Sequence, residues 1–303
     1  MLKSKSGTIK KLNITIMKDM KLNFRRIYQL MLALLMIAVL AACGEENLTE
    51  NQSDASEVVS SEADMDAIFE DIDDLSSVSL ESTDANSGGR IAEGDVDDDR
   101  ICEGVFSYEG TREEGTITLD FGDGCIDAKG NVRKGKITIS HTGSYFLPGS
   151  TTVLSFIDYS INDIQVEGTR TVKNISEDER DTLTFNVMLE GGKVTWTDRS
   201  FATREVDHIR VWERALNPIN DRILVSGAAS GTTRRGVTYA SAIAEDLVFV
   251  RNCRKSRRGG LPVDGVNVIT TRKKIITLDF GDGECDNEVT ITVDGIEENL
   301  TLD

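Results

Sequence analysis

The residues of this sequence that are best placed to do chemistry are aspartates in a phrase that occurs twice. "TLDFGDGC" covers residues 118–125 and "TLDFGDGEC" covers residues 278–285. In each copy three carboxylates follow the spacing D-x2-D-x3-D, and together they are Asp120, Asp123, Asp127, Asp279, Asp282 and Asp286. Clustered carboxylates on a glycine-rich loop can supply several of the oxygen ligands that Ca²⁺ requires. The ligand order of an EF-hand is absent, so we predict two structural turns, with a calcium site as the alternative.

In the predicted turns, Gly122 and Gly281 adopt positive φ, and the side chains of Asp123 and Asp282 bond their own backbone. Other chemistry has little support. The two histidines, His141 and His208, have no His or Cys partner at metal-ligand spacing. There is no G-x-S-x-G nucleophile motif and no phosphate-binding glycine loop. The sequence therefore assigns no catalytic residue.

Aromatic side chains offer a second kind of site. Two tryptophans and three tyrosines form a candidate stacking surface for a sugar or a peptide: Trp196, Trp212, Tyr145, Tyr159 and Tyr239. The alternative is that these rings pack against the sheet, as buried aromatic residues commonly do. We favour the packing interpretation.

The elements that would position these residues are strands. Ile117, Leu119 and Phe121 alternate with polar residues, and the same period of two recurs across residues 101–303. We predict an all-β domain, an antiparallel meander of about a dozen strands. A sheet of that size must curl, close or split, so the fold is a sandwich or a strongly curved half-barrel sheet. The segment 203–216, "TREVDHIRVWERAL", is compatible with a helix but is predicted to be a strand.

Four cysteines in this domain allow three disulfide connectivities. Strands 103–110 and 116–122 would form a hairpin with Cys102 and Cys125 at its open end. Cys253 and Cys285 bracket a second hairpin that turns near residues 271–273. We therefore predict the pairs Cys102–Cys125 and Cys253–Cys285, each contributing about 3 kcal/mol through the entropy of the unfolded chain.

The N-terminal region has the pattern of a targeting signal. Eight basic residues precede an unbroken apolar run, 30–42, that is too short to span a bilayer. The run ends in Leu-Ala-Ala-Cys, which resembles a bacterial lipobox. That resemblance implies that residues 1–42 are a lipoprotein signal peptide, and that Cys43 carries acyl chains such as palmitate. Several acyl chains on one residue would hold the protein at the outer membrane, on its periplasmic or its cell-surface face.

Acidic residues dominate the stretch that follows. Residues 44–100 contain nineteen acids against Arg90 and Arg100, within a chain of formal net charge −18. We interpret residues 43–100 as a serine-rich tether. Within it, the apolar residues of 61–75 fall at helical spacing and predict a short helix that docks on the β domain. Such acidity excludes nucleic acid as an expected partner, because binding requires neutralised phosphates.

Several phrases in the β domain resemble a group of uncharacterised Bacteroidota lipoproteins. They are "GKITI" after "DFGDGC", "VEGTRTVKN", "SGAASGTTRRG" and the closing "TLDFGDGECDNEVTITVDG". The resemblance implies an all-β, envelope-anchored protein and carries no catalytic residues. The resulting hypothesis is a lipid-anchored, non-enzymatic binding or structural module of the cell envelope. Its ligand would be a polysaccharide or a protein. The alternatives are an envelope polysaccharide hydrolase, whose paired carboxylates are defined by a distance, and a periplasmic carrier of a lipid or another ligand.

Overall fold

The computed structural model describes most of the chain. It covers residues 45–85, 98–102, 105–111, 113–128, 130–178, 182–217, 220–250, 253, 261–286 and 288–301. The predicted signal peptide (1–42) and the predicted lipidated Cys43 lie outside these residues. The chain divides into two compact units, Met1–Asp54 and Ala55–Asp303. In the first unit only the helical residues 45–54 are described, and everything below concerns the second.

The described residues form thirteen strands that follow one another in a single antiparallel sheet. Neighbours in sequence are neighbours in the sheet, so β1 and β13 are its two open edges. The predicted antiparallel meander is confirmed, as one continuous sheet. The strands are β1 Phe106–Gly110, β2 Glu114–Ile126, β3 Val132–Thr142, β4 Thr151–Ile161, β5 Ile164–Asn174, β6 Thr182–Thr195, β7 Phe201–Glu213, β8 Arg222–Thr232, β9 Thr238–Val250, β10 Asp264–Thr271, β11 Ile275–Asp282, β12 Glu288–Val293 and β13 Ile296–Thr301.

The segment that was ambiguous between helix and strand lies in β7. Its residues pair in register with β6 on one side and with β8 on the other, as in Val206 opposite Leu189 and Ala229. The alternation with a period of two therefore predicted the strand correctly. Arg204, Val206 and His208 share the buried side of β7.

One helix among the described residues, α1 (Glu45–Ala85), packs against one face of the sheet through its part from Ala55 onward, and we call this the inner face. The helix predicted near 61–75 lies within α1, which is longer than expected. Ala55, Val58 and Val59 pack with buried residues of β8–β12. Farther along, Met65, Phe69, Ile72, Leu75 and Leu80 pack with residues of β1–β8. The predicted docking of the helix is therefore confirmed. No helix among the described residues is long and apolar enough to cross a membrane.

Both predicted cysteine pairs are at disulfide distance. The Cα atoms of Cys102 and Cys125 are 6.3 Å apart, and those of Cys253 and Cys285 are 5.5 Å apart. The first pair closes the β1–β2 hairpin, and the second lies at the open end of the β10–β11 hairpin. The pairing that hairpin geometry favoured is thus confirmed.

Candidate functional site

The repeated phrase forms the same turn in both places. The backbone N–H of Gly122 donates to Oδ1 of Asp120 (3.1 Å), and that of Gly281 donates to Oδ1 of Asp279 (3.0 Å). Gly122 has φ of 54° and Gly281 of 89°, as the sequence predicted. One detail was wrong. The bonding carboxylates are the first in each phrase, Asp120 and Asp279, whereas Asp123 and Asp282 were expected to do so. Each of the two stands just before a shift in the strand register and reaches forward two residues to the backbone.

Internal partners occupy several of the six candidate calcium ligands. Oδ2 of Asp120 is 2.6 Å from Nζ of Lys136. The hydrogen bonds from Lys136 and from the backbone of Gly122 lower the pKa of Asp120. The buried carboxylate of Asp127 accepts bonds from the backbone N–H (2.8 Å) and Nδ2 (3.1 Å) of Asn131. Asp286 accepts a bond from the backbone of the residue two positions on.

Across the described ranges, no three His, Cys, Asp or Glu side chains are grouped as a metal site. Calcium binding at Asp120, Asp123 and Asp127, or at the second triplet, stays a prediction. The bonds above support the turn interpretation.

Four arginines on the inner face of the sheet bind the acidic residues of α1. We call them the arginine row: Arg133 on β3, Arg170 on β5, and Arg204 and Arg210 on β7. Their carboxylate partners lie within three turns of the helix. The pairs are Arg133–Asp71 (2.7 Å), Arg170–Asp73 (2.5 Å), Arg204–Glu62 (3.0 Å), Arg204–Asp66 (2.8 Å), Arg210–Asp73 (3.0 Å) and Arg210–Glu70.

These pairs also bring distant strands to one stretch of the helix. β3 and β7 are four strands apart in the sheet, and Arg133 on β3 and Arg210 on β7 contact the consecutive residues Asp71 and Glu70.

Burial and charge act in opposite directions in the arginine row. Burial lowers the pKa of the Arg204 guanidinium, but the nearby charges of Asp66 and Glu62 outweigh it and raise the pKa. Burial likewise raises the pKa of the Glu62 carboxyl, against the opposing effect of Arg204. Arg204 and Glu62 have only 3% and 5% of their side chains exposed, so each depends on the other for its charge. Such a pair is strongly destabilised when one partner is lost.

The sequence did not predict the arginine row, although two signals were present. Arg204 and Arg210 lie an even number of residues apart in a strand, which places them on one face. Glu62, Asp66 and Glu70 repeat every four residues, as does one face of a helix. The acidic stretch was interpreted as a solvated tether because its net charge was considered without the arginines that neutralise it.

A pocket of about 150 Å³ lies between α1 and the sheet, beside Arg210. Its walls come from the second half of the helix and from strands β4–β9. They are mostly apolar on the sheet side and acidic on the helix side. The lining residues are Glu70, Asp73, Asp74, Ser76, Ser77, Val78, Glu81, Tyr145, Thr152, Leu154, Val172, Phe185, Val187, Arg210, Trp212, Asp221, Ile223 and Phe249.

Aromatic side chains form part of the pocket lining, namely Tyr145, Phe185, Trp212 and Phe249. Tyr145 stacks on Phe185 with ring centroids 5.2 Å apart, and Phe146 lies 6.1 Å from Trp212. Nε1 of Trp212 donates to Oδ2 of Asp221 (3.1 Å), which fixes the indole. Burial raises the pKa of the Tyr145 hydroxyl, and the negative charge of Asp73 raises it further. The hydroxyl therefore stays protonated.

The candidate stacking surface is divided among three places and is not one surface. Tyr145 and Trp212 line the pocket. Tyr159 and Tyr239 are buried and accept hydrogen bonds from Arg133 (2.8 Å) and Arg204 (3.4 Å). Trp196 is apart from both, with the guanidinium of Arg234 4.3 Å from its ring centroid. The interpretation that aromatic rings pack the sheet was right for the two buried tyrosines.

Two buried hydroxyl groups face the pocket. Ser76 on the helix and Thr152 on β4 are 4% and 2% exposed, and both line the cavity. Among the described residues, the fully enclosed side-chain atoms without a hydrogen-bond partner include neither hydroxyl oxygen, so neither hydroxyl marks an unsatisfied buried site.

Neither histidine is arranged as a catalytic base. Nε2 of His141 is 3.1 Å from the hydroxyl of Tyr108, and its Nδ1 is 3.1 Å from the carbonyl oxygen of Gly143. His208 is buried next to the arginine row. Burial, followed by the positive charges of Arg210, Arg204 and Arg170, lowers its pKa to about 3. His208 is therefore neutral at physiological pH and is a poor proton acceptor.

Comparison of the chain with models of protein families, with curated proteins and with solved structures finds no match.

Proposed function

We propose that this protein is a non-enzymatic binding module of the cell envelope, anchored by lipid at Cys43, and that it binds a small molecule in the pocket between α1 and the sheet. The observation that carries the proposal is the pocket itself. It combines aromatic and aliphatic side chains of the sheet side with charged and hydroxyl groups, most of them on the helix, and concave sites lined by both kinds of group are where small molecules bind.

The size of the pocket selects among the alternatives. A cavity of about 150 Å³ is comparable to one that accepts a single aromatic ring. It is below the roughly 300–1,000 Å³ of sites that enclose larger ligands. A carrier of acyl chains or a polysaccharide enzyme would need more room than this. The volume therefore supports a small ligand, and the carrier hypothesis survives only for a molecule of that size.

The arginine row supports a preformed site. Arg170 and Arg210 both bind Asp73, which is itself part of the pocket wall. Two arginines of the sheet therefore hold the helix wall of the pocket in place through the single carboxylate of Asp73. A site whose walls are held in this way loses little conformational entropy when a ligand enters.

Lipid anchoring is tested independently of binding. We expect Cys43→Ser to move the protein from the membrane fraction to the soluble fraction and to abolish incorporation of labelled palmitate. Intact-cell protease digestion of the wild type then distinguishes the cell-surface face from the periplasmic face. A Cys43→Ser protein that stays in the membrane fraction would contradict the anchor.

Binding is tested by filling the cavity. Val187 is 1% exposed and lines the pocket, so Val187→Phe should occupy part of its volume. A screen of small molecules by thermal melting should yield compounds that raise the melting temperature of the wild type but not of Val187→Phe. As a matched control, Val166→Phe introduces the same overpacking at a buried valine that does not line the pocket. Compounds that act equally on all three proteins would refute the site.

A further inference from the structure

The side chains that line the pocket identify the chemical class of the molecule that it would accept. We propose that the pocket is a site for a neutral, apolar molecule of about one aromatic ring. The inference rests on the binding function proposed above and adds the chemistry of the ligand.

The first observation is the surface that the sheet side offers. Eight of the eleven lining residues outside α1 are apolar or aromatic. Among them, Leu154, Phe185 and Val187 belong to the buried core of the protein. Contact with such walls is favourable in proportion to the apolar surface that ligand and walls together remove from water. An apolar ligand therefore gains from most of this side of the pocket.

The second observation is that the carboxylates in the lining already have partners within the protein. Asp73 is 2.5 Å from Nε of Arg170 and 3.0 Å from Nη1 of Arg210. Asp221 accepts hydrogen bonds from Nε1 of Trp212 (3.1 Å) and from the backbone N–H of Ala215 (2.8 Å). The other three are Glu70, which pairs with Arg210, Asp74, which is 3.0 Å from Arg100, and Glu81, which also has a partner.

These partners decide what a charge on the ligand would cost. A charged group that enters the pocket loses its hydration, and burying a charge is unfavourable unless a counter-charge is supplied. The charged groups of the lining are engaged with other groups of the protein. A cation would therefore have to compete with an arginine for Asp73, and an anion would have to compete with a carboxylate for Arg210. A neutral molecule leaves these pairs in place.

The third observation is the size of the cavity and the kind of surface within it. The volume of about 150 Å³ admits a single ring. Tyr145, Phe185, Trp212 and Phe249 supply aromatic surface, and aromatic rings attract one another beyond the area that they bury. The bond from Trp212 to Asp221 fixes the indole before a ligand enters. The ligand class is therefore a benzene ring with at most a short apolar substituent.

Three compounds that share one ring test the class directly. Ethylbenzene is neutral, benzylamine is a cation at pH 7, and benzoate is an anion. The full chain contains two tryptophans, so Trp196→Phe leaves Trp212 as the sole indole, located in the lining of the pocket. We expect ethylbenzene to change the emission of Trp212 saturably. Its dissociation constant should be at least about tenfold lower than that of either ion, which corresponds to about 1.4 kcal/mol.

Two variants locate the effect. Val187→Thr keeps the shape of a lining side chain and adds a hydroxyl, which must lose its water when an apolar ligand enters. The affinity for ethylbenzene should therefore fall about threefold to tenfold. Val166→Thr is the matched control, because Val166 is a buried valine that does not line the pocket, and its affinity should not change. Circular dichroism confirms that both variants are folded, and the comparison of the three compounds on the parent protein decides the class without either variant.

Each outcome has a defined meaning. Binding of benzylamine or benzoate as tightly as ethylbenzene would overturn the neutral class while the binding function stands. An equal loss of affinity in Val187→Thr and Val166→Thr would place the bound compound outside the pocket. The neutral-ring site is refuted if none of the three compounds changes the emission of Trp212 or raises the melting temperature of the wild type at about 1 mM, where a dissociation constant in the submillimolar range would be visible. The screen with Val187→Phe then decides the proposed function separately.

Discussion

Replacing Arg204 by methionine should destabilise the protein strongly, and by an amount that depends on pH. The change removes the charge next to Glu62, whose side chain is 5% exposed, together with the bond to Asp66. An uncompensated buried charge costs about 3–5 kcal/mol. Glu62 can escape by taking up a proton. Protonating a carboxyl with the ordinary pKa of 4.5 costs about 3.4 kcal/mol at pH 7, at 1.36 kcal/mol per pH unit. The cost of the unpaired buried charge therefore cannot exceed this amount.

The same arithmetic fixes the pH dependence. Protonating Glu62 costs nothing once the pH reaches its ordinary value of 4.5. The difference in the free energy of unfolding between the wild type and Arg204→Met should therefore shrink from about 4 kcal/mol at pH 7 to about 1 kcal/mol near pH 4.5. At pH 7 the melting temperature should fall by roughly 10 °C, at 2–4 °C per kcal/mol for a domain of this size.

Urea denaturation at the two pH values measures both quantities. The matched control is Arg222→Met, because Arg222 pairs with Glu213 at 3.5 Å with 49% and 44% of the side chains exposed. It should cost less than about 1 kcal/mol at either pH. Adding Glu62→Met to Arg204→Met should recover most of the loss, since an apolar pair replaces a buried ion pair at little cost. The reasoning is refuted if Arg204→Met resembles Arg222→Met, or if its cost is the same at both pH values.

Three further predictions concern other parts of the structure. His208, with its pKa lowered to about 3, is neutral in the folded state and protonated in the unfolded state below 6.5. Relative to His208→Gln, the wild type should lose about 1.4 kcal/mol of stability per unit as the pH falls below 6.5, and urea midpoints at pH 7 and pH 5 should reveal this difference. Gly135→Ala should lower the free energy of unfolding by more than about 2 kcal/mol, because φ is 74° and the new Cβ would collide with the backbone oxygen of Asp158. Gly122→Ala is the control, because its φ of 54° is strained but the space around it is open, and it should cost only about 1–2 kcal/mol. Addition of calcium in excess should leave the melting temperature unchanged, and a rise would show that the aspartates of the repeated turns form a metal site.

The fold could largely be predicted from local patterns, because its elements are connected locally. Each strand pairs with the next one along the chain, so alternation and turn residues were sufficient for the meander. Cys102 and Cys125 could be paired for the same reason, because they lie at the open end of one hairpin of neighbouring strands. What a local pattern does not contain is a contact between distant segments. Arg204 and Glu62 are separated by 142 positions, and only the packing of α1 against the sheet brings them together.

The pocket was inaccessible to sequence reasoning for the same reason. Its walls combine Ser76 on the helix with Thr152 on β4 and Trp212 on β7, and no spacing connects the three. Tyr145 and Trp212, which line the pocket, were among the aromatic candidates of the sequence analysis. Which of them share a surface depended on how the strands are arranged around α1, and that arrangement has no signature in a period of two.

The arginine row also determines the position of α1 along the sheet, which apolar spacing alone leaves open. The buried residues Met65, Phe69 and Ile72 follow a repeat of three and four. A shift of the helix by three residues, about 4.5 Å, would therefore place the apolar residues Ile68, Ile72 and Leu75 at the same positions. The ion pairs distinguish the alternatives.

After such a shift Arg204 would face Met65 and Phe69 in place of Glu62 and Asp66. Arg170 would likewise face Ser76 in place of Asp73. The shift leaves two buried guanidinium groups without these carboxylates, at a cost of several kcal/mol each. Because Ser76 and Asp73 belong to the wall of the pocket, the ion pairs that select this position also assemble the site. The acidic residues of α1 thus shape the pocket through the position along the sheet that their ion pairs impose on the helix.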